Sequence, residues 1–155
     1  MVSPGGTGSG DGKSRLRLWL RLLKVTRGIE AELRERLRSE FGSTLPRFDV
    51  MAALSRHREG LKMSQISELL RVSNGNVTGI VDRLVEDGIA QREAVPGDRR
   101  ASLVRLTRKG EEEFVRQASA HEVWVGELLG ALGREEAAAM TDHLTRILKE
   151  GRDAV

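Results

Sequence analysis

The sequence predicts a mainly α-helical fold that carries one small β-hairpin. Three observations point there. Residues 15–41 repeat apolar side chains at helical spacing over a long uninterrupted run. Between residues 63 and 88, two short apolar patterns, each opened by a serine, are separated by a brief turn. Past Gly88 the apolar period switches from helical to alternating and stays so as far as Thr107.

The elements follow in order. Leu16, Leu20, Leu23, Ile29, Leu33, Leu37 and Phe41 form an i, i+3/i+4 stripe. A helix of roughly 27 residues is about 40 Å long, more than one small core can bury, so part of this stripe is expected to meet a partner subunit. Thr44 is placed to N-cap a second helix with Pro46 in its first turn, where a missing N–H is harmless. Phe48, Met51, Ala52 and Leu54 give that helix an apolar side, and Gly60 closes the connection after it. Ser64 is expected to cap a short helix carrying Ile66, Leu69 and Leu70. After the turn at Arg71-Val72, Ser73 caps another, in which Val77, Ile80, Val81 and Leu84 make a strict apolar face. Gly88 ends it in the left-handed region.

Two short helices joined by such a turn are the helix-turn-helix arrangement. Its second helix presents N-terminal residues to base edges in DNA. Ile89–Ala94 and Ala101–Leu106 are strand candidates, with Ser102, Val104 and Leu106 alternating against Leu103 and Arg105. Val95-Pro96-Gly97-Asp98 is turn chemistry, and Arg99-Arg100 follow at the tip. A hairpin directly after a reading helix is the wing of a winged helix-turn-helix. Thr107 is placed to cap a helix running through Phe114, Ala118, Val125, Leu128 and Leu132 and broken at Gly133. Ala137, Met140, Leu144, Ile147 and Leu148 mark a last helix. The expected organisation is a flexible Gly/Ser-rich tail over 1–14 and a single domain over 15–150. Within that domain, 44–106 is the winged helix-turn-helix, and 15–43 with 107–150 are helices of a dimerisation layer.

Composition narrows the chemistry. At 155 residues the chain is too short for two ordinary domains. Aromatic residues are 3% with no Tyr, so stacking platforms for single-stranded nucleic acid are lacking. The absence of Cys excludes disulfides, Cys-zinc sites and thiol redox sensing. No apolar run is long enough to span a membrane, and the opening residues lack the apolar centre of a signal peptide, so a cytoplasmic protein is expected. His57, His121 and His143 are not paired at helical spacing, so no metal site is expected. The sequence holds no nucleophile elbow, no phosphate-binding glycine loop and no zinc-protease motif, and therefore predicts no enzyme, no catalytic residues and no cofactor.

The net charge is +3 with a pI near 9.8, which by itself says little about partners. Its distribution says more. Arg15, Arg17, Arg21, Lys24 and Arg27 crowd the first helix, and Arg92, Arg99, Arg100, Arg105, Arg108 and Lys109 surround the hairpin. Each group can be a solvated face, but the second falls where a wing meets DNA. On the reading helix the polar positions are Asn74, Gly75, Asn76, Thr78, Gly79 and Arg83. Asn matches adenine, Arg matches guanine, and the Thr methyl can touch the methyl of thymine. Two glycines inside one short helix cost about 1 kcal/mol each against Ala, which close approach to a partner would explain. Arginine at a wing tip suits the narrow, strongly negative minor groove.

Residues Met63–Thr107, with Ser73-Asn74-Gly75-Asn76-Val77-Thr78, Pro96-Gly97-Asp98-Arg99-Arg100 and Leu103-Val104-Arg105-Leu106-Thr107, resemble the MarR family of transcriptional regulators. The likeness extends from about residue 15 to 150. It implies that Asp98 braces the wing, that Arg100 reaches into the minor groove, and that the helix opening at Ser73 contacts bases and phosphates. It also implies a triangular homodimer on double-stranded DNA, commonly a repressor relieved by a small ligand. A narrower likeness, carried by Leu18-Trp19-Leu20-Arg21-Leu22-Leu23 and Thr44-Leu45-Pro46-Arg47-Phe48-Asp49, is to members that sense aromatic acids or their CoA thioesters. A ligand of that kind needs an apolar slot, for which Trp19, Phe48 and Met51 are candidates. Its phosphates need cations, for which Arg15, Arg17 and Arg21 are candidates. These same residues also fit as ordinary core and helix-face positions. The alternatives to a specific regulator are a nonspecific architectural DNA binder and a winged helix used for protein contact.

Overall fold

The structure, a computed structural model, describes residues 8–153. Its elements are α1 (Gly8–Phe41), α2 (Leu45–Arg56), β1 (Leu61–Lys62), α3 (Met63–Leu70), α4 (Asn74–Glu86), β2 (Ala90–Val95), β3 (Asp98–Leu106), α5 (Arg108–Leu128) and α6 (Arg134–Asp153). The chain divides into two units, one ending at His121 and the other beginning at Glu122.

The first unit is built on a core supplied almost wholly by residues 50–106. Val50, Met51 and Leu54 of α2, Ile66 of α3, and Val77, Val81 and Leu84 of α4 are buried together with Leu61, Val104 and Leu106 of the sheet. The helical spacing of the α4 trio and the alternation in β3 put these side chains on one face of each element. The sheet has the order β1-β3-β2 and is antiparallel throughout, with Leu61 opposite Val104 and Ala90 opposite Leu106. Leu33 and Leu37 of α1 are buried as well, while Phe48 stacks on His121 with ring centroids 4.7 Å apart and lies 5.6 Å from Phe114.

The expected caps hold at Thr44, whose hydroxyl accepts from the Arg47 N–H at 3.2 Å, and at Ser73, whose hydroxyl accepts from the Asn76 N–H at 3.4 Å. Thr107 accepts from the Gly110 N–H and donates to the Gly88 carbonyl, tying the start of α5 to the end of α4. Gly88 has φ +74. Ser64 is not a cap: the N-cap of α3 is Lys62, whose N–H donates to Gln65 Oε1 at 2.8 Å, and Ser64 lies exposed in the first turn. Leu69, expected on the apolar side of α3, is instead exposed.

Helix α1 starts earlier than expected, so residues 8–14 belong to a helix and not to a tail; residues 1–7 lie outside the described residues. Extending an existing helix avoids the cost of nucleation, and Asp11 in the first turn suits the helix dipole. At the other end, α5 stops at Leu128, four residues short of Leu132, and Gly133 stands just before α6, its carbonyl accepting from the Ala137 N–H. The second unit exposes Val123, Met140, Leu144, Ile147 and Leu148. Among the described residues no helix is long and apolar enough to cross a membrane.

Candidate nucleic-acid interface

Helix α4 presents one buried and one open face. The open face carries Gly75, Asn76, Thr78 and Gly79, all exposed; the side chain of Asn74 lies outside the described residues. A Cβ added at Gly75 or at Gly79 would meet no heavy atom within 4 Å. Neither glycine therefore makes room for anything in its own chain. Gly110 is the contrast: a Cβ there would sit 2.0 Å from the Ile89 carbonyl oxygen, so α5 crosses the start of β2 only because that position lacks a side chain. Periodicity gives no sign of this, because the close approach is made by an element remote in sequence.

The hairpin turn is tight. Val95 pairs with Asp98, Pro96 and Gly97 form the bend, and Gly97 has φ +82, the left-handed value that the third residue of a type II turn needs after proline. Asp98 Oδ1 accepts from the Arg100 N–H at 3.0 Å, which fixes the backbone at the tip. A register shift between Ala94 and Val95 adds twist just below it.

The basic residues around the hairpin separate into two kinds. Arg92 pairs with Asp82 and so links β2 to the middle of α4. Arg105 donates to the Glu59 carbonyl at 2.9 Å and faces Glu93 at 3.5 Å. Lys109 donates to the Asp87 carbonyl at 2.9 Å, closing the end of α4. Arg108 reaches Glu112 on its own helix. The side chains of Arg99 and Arg100 are exposed and have no such partner among the described residues. The cluster that is uniform in sequence thus braces the wing with Arg92 and Arg105, engages Arg108 and Lys109 elsewhere in the chain, and leaves its tip charges free.

Arg83 is placed apart from the rest of the predicted reading set. It lies seven residues beyond Asn76, about 10 Å along the helix axis, where it lines a cavity of about 550 Å³ with Ser43, Arg47, Asp87, Lys109 and Gln117. Arg47 and Asp87 form an ion pair at 2.6 Å across its wall, joining the first turn of α2 to the end of α4.

The predicted ligand residues are also dispersed. Phe48 and Met51 are core residues, whereas Trp19 is 54% exposed on α1. Arg15 is exposed on the same helix, and Arg17 and Arg21 line a shallow groove there with Leu20 and Lys24. The α1 residues and the α2 residues are not gathered into one pocket: Met51 lines the cavity beside Arg83, and Arg21 lines the groove. Among the described residues no three His, Asp or Glu side chains gather to hold a metal. Asp49, next to Phe48, reaches the surface, yet protein around its carboxyl excludes enough water to push its pKa up. His121 pulls it down and Glu30 adds to the rise.

Residues 41–101 match the model of the MarR family. The chain is 30% identical to the transcriptional activatory protein BadR of Rhodopseudomonas palustris over 127 residues, covering 79% of this chain and 67% of that one. It is 26% identical to the HTH-type transcriptional regulator MhqR of Bacillus subtilis over 132 residues, 85% and 90% of the two chains. Among solved structures, a MarR family transcriptional regulator from Silicibacter pomeroyi superposes with a TM-score of 0.75 at 32% identity, covering 92% of this chain and 98% of that one.

Proposed function

Because the chain belongs to the MarR family of DNA-binding transcriptional regulators, we propose that it is a cytoplasmic homodimeric repressor of a pseudo-palindromic operator, released by a small aromatic acid or its CoA thioester. The observation that carries the DNA reading is the division of the basic cluster. Arg92, Arg105 and Lys109 are engaged within the chain, while Arg99 and Arg100 stand uncommitted at a tip held in shape by Asp98. In this reading α4 enters the major groove with Ser73, Asn74, Gly75, Asn76 and Thr78 toward bases and phosphates, and Arg100 enters the adjacent minor groove. Ser64, exposed in the first turn of α3, is within the part of the motif that crosses the phosphate backbone.

Dimerisation is supported by apolar surface left open on a single chain. Leu16, Leu18, Trp19, Leu20 and Val25 of α1 are each at least half exposed, and α6 exposes Met140, Leu144, Ile147 and Leu148. A two-fold dimer sets its two α4 helices about 34 Å apart, one turn of DNA. For the CoA thioester, the cations Arg17, Arg21 and Lys24 around the α1 groove suit phosphates.

The test is a titration of the protein, and of Arg100→Ala, onto DNA from upstream of its own gene, with sedimentation equilibrium in parallel. The expected result is dimers in both cases and a loss of affinity of roughly tenfold or more in the variant, the size of one lost charged contact. Unchanged affinity would remove the wing from the interface, and a monomer at the DNA-binding concentration would remove the two-fold reading.

A further inference from the structure

The hairpin tip carries a second pattern that the DNA interface does not use. In Arg99-Arg100-Ala101-Ser102-Leu103 a serine follows arginines at three and two residues and stands just before an apolar side chain. No other Ser or Thr in the chain has arginine at both of those spacings. Ser39 comes nearest, after Arg36 and Arg38, but it is held inside α1 with its Oγ donating to the Arg36 carbonyl at 3.3 Å. An enzyme that chooses among serines by charge needs cations at fixed spacing from the acceptor hydroxyl, on a chain that can lie extended in its groove.

The fold offers the segment in that form. Ser102 lies on β3, partly exposed, and its hydroxyl has no hydrogen-bond partner among the described residues. Strand β1 pairs only with Leu103 and Val104, so from Asp98 to Ser102 the edge of β3 away from β2 has no neighbouring strand among the described residues. On the β2 side Ser102 faces Ala94, and the next pair is Asp98 with Val95, so Arg99, Arg100 and Ala101 bulge out of the ladder. Both arginines are exposed and uncommitted. Seating such a tip as an extended peptide in another protein disturbs few contacts of its own chain.

We propose that Ser102 is the acceptor of an arginine-directed serine kinase, and that its phosphorylation turns the wing off. The inference rests on the DNA-binding reading above and adds covalent control to it. Ser102 Oγ attacks the γ-phosphorus of ATP, forming a new O–P bond as the bond from that phosphorus to the β,γ-bridging oxygen breaks. ADP leaves, and the hydroxyl proton passes to a base of the kinase and then to solvent. The product carries about two negative charges. Arg100 is two residues away, roughly 7 Å along the strand, and Arg99 follows it. Phosphate oxygens accept bidentately from guanidinium groups, so the modified serine draws onto itself the cations assigned to the minor groove, and its charge repels the DNA backbone. The register supplies another target. Arg92 stands opposite Val104, on the same face as Ser102 and diagonal to it, about 7 Å away. A phosphate there competes with Asp82 for Arg92, the pair that ties β2 to α4.

The experiment incubates the full folded chain with ATP and an arginine-directed serine kinase, the catalytic subunit of cyclic-AMP-dependent protein kinase. Mass spectrometry then locates the phosphate, and fluorescence anisotropy measures binding to DNA from upstream of the protein's own gene. The expected result is phosphate at Ser102 in the wild type and none in Ser102→Ala. Affinity of the phosphorylated protein should fall roughly 100-fold, about tenfold for each arginine withdrawn. The slope of log affinity against log salt should shrink by about 2, one for each lost phosphate contact. Ser102→Ala should bind like the unmodified wild type both before and after kinase treatment. Absence of phosphate, phosphate at another residue, or unchanged affinity with phosphate on Ser102 overturns the proposal. The two readings fail separately. A chain that binds the DNA but takes no phosphate refutes only this inference, whereas one that takes phosphate at Ser102 yet binds no DNA in either form refutes the regulator.

Discussion

Replacing Gly79 by Ala separates the stability of α4 from its use. In the free chain the new methyl group meets nothing within 4 Å, so it introduces no clash. Alanine inside a helix is favoured over glycine by about 1 kcal/mol, and part of that gain comes from a less flexible unfolded chain. The variant should therefore be more stable by roughly 0.5–1 kcal/mol, a rise in Tm of about 2–4 °C for a chain of this size. In the proposed complex the same methyl group lies where the helix backbone approaches DNA. Overpacking of a close contact costs about 1–3 kcal/mol, so affinity should fall roughly 5- to 150-fold. Thermal unfolding and fluorescence anisotropy on one preparation read both effects. A higher Tm with unchanged operator affinity would refute the reasoning, since the glycine would then serve neither the fold nor the interface.

Other substitutions test neighbouring parts of the account. Gly110→Ala should destabilise the protein by about 3 kcal/mol, the upper part of the overpacking range, because a Cβ only 2.0 Å from the Ile89 carbonyl oxygen forces one backbone to shift; urea unfolding measures it. Asp98→Ala removes the acceptor of the Arg100 N–H and should cost about 1 kcal/mol of local stability, visible as faster amide exchange at Arg100, together with weaker operator binding. Asp49→Asn concerns pH. The folded protein raises the pKa of Asp49, chiefly by excluding water, so the folded state binds that proton more tightly than the unfolded chain does. Stability from this group is present below the ordinary carboxylate pKa and is lost as pH rises through the raised value. The Asn variant should melt higher than wild type at pH 7, with the gap shrinking as pH falls through the carboxylate range. A gap that widens on acidification would contradict the sign.

What could be read from the chain was whatever is decided locally. Thr44, Ser73 and Thr107 carry their capping chemistry in their own side chains, and Pro96-Gly97 sets its turn without help from elsewhere. The apolar face of α4 follows from spacing alone. The features that escaped depend on distant partners. β1 is a two-residue strand that exists because Leu61 and Lys62 pair with Val104 and Leu103, and two residues show no period. Gly110 matters because of Ile89. The start of α3 is a local exception: Gln65, three residues on, reaches back to the Lys62 N–H, where residue type alone pointed to Ser64 as the cap. Arg83 shares a helix flank with Asn76, yet its position near the end of α4 sets it beside Ser43 and Gln117, residues far away in sequence. Charge clusters suffer in the same way. The contacts of Arg92 with Asp82 and of Arg105 with Glu59 and Glu93 distinguish them from Arg99 and Arg100.

The central claim is that α4 and the wing read a particular DNA sequence. Fluorescence anisotropy of the wild-type protein on DNA from upstream of its own gene, against a shuffled duplex of equal length at several salt concentrations, tests it most directly. A specific regulator with its operator there should prefer the upstream DNA by roughly 10³-fold or more, with the preference persisting as salt rises. Equal affinities for the two duplexes, falling together steeply with salt, would mean that phosphates alone are recognised and would contradict the account.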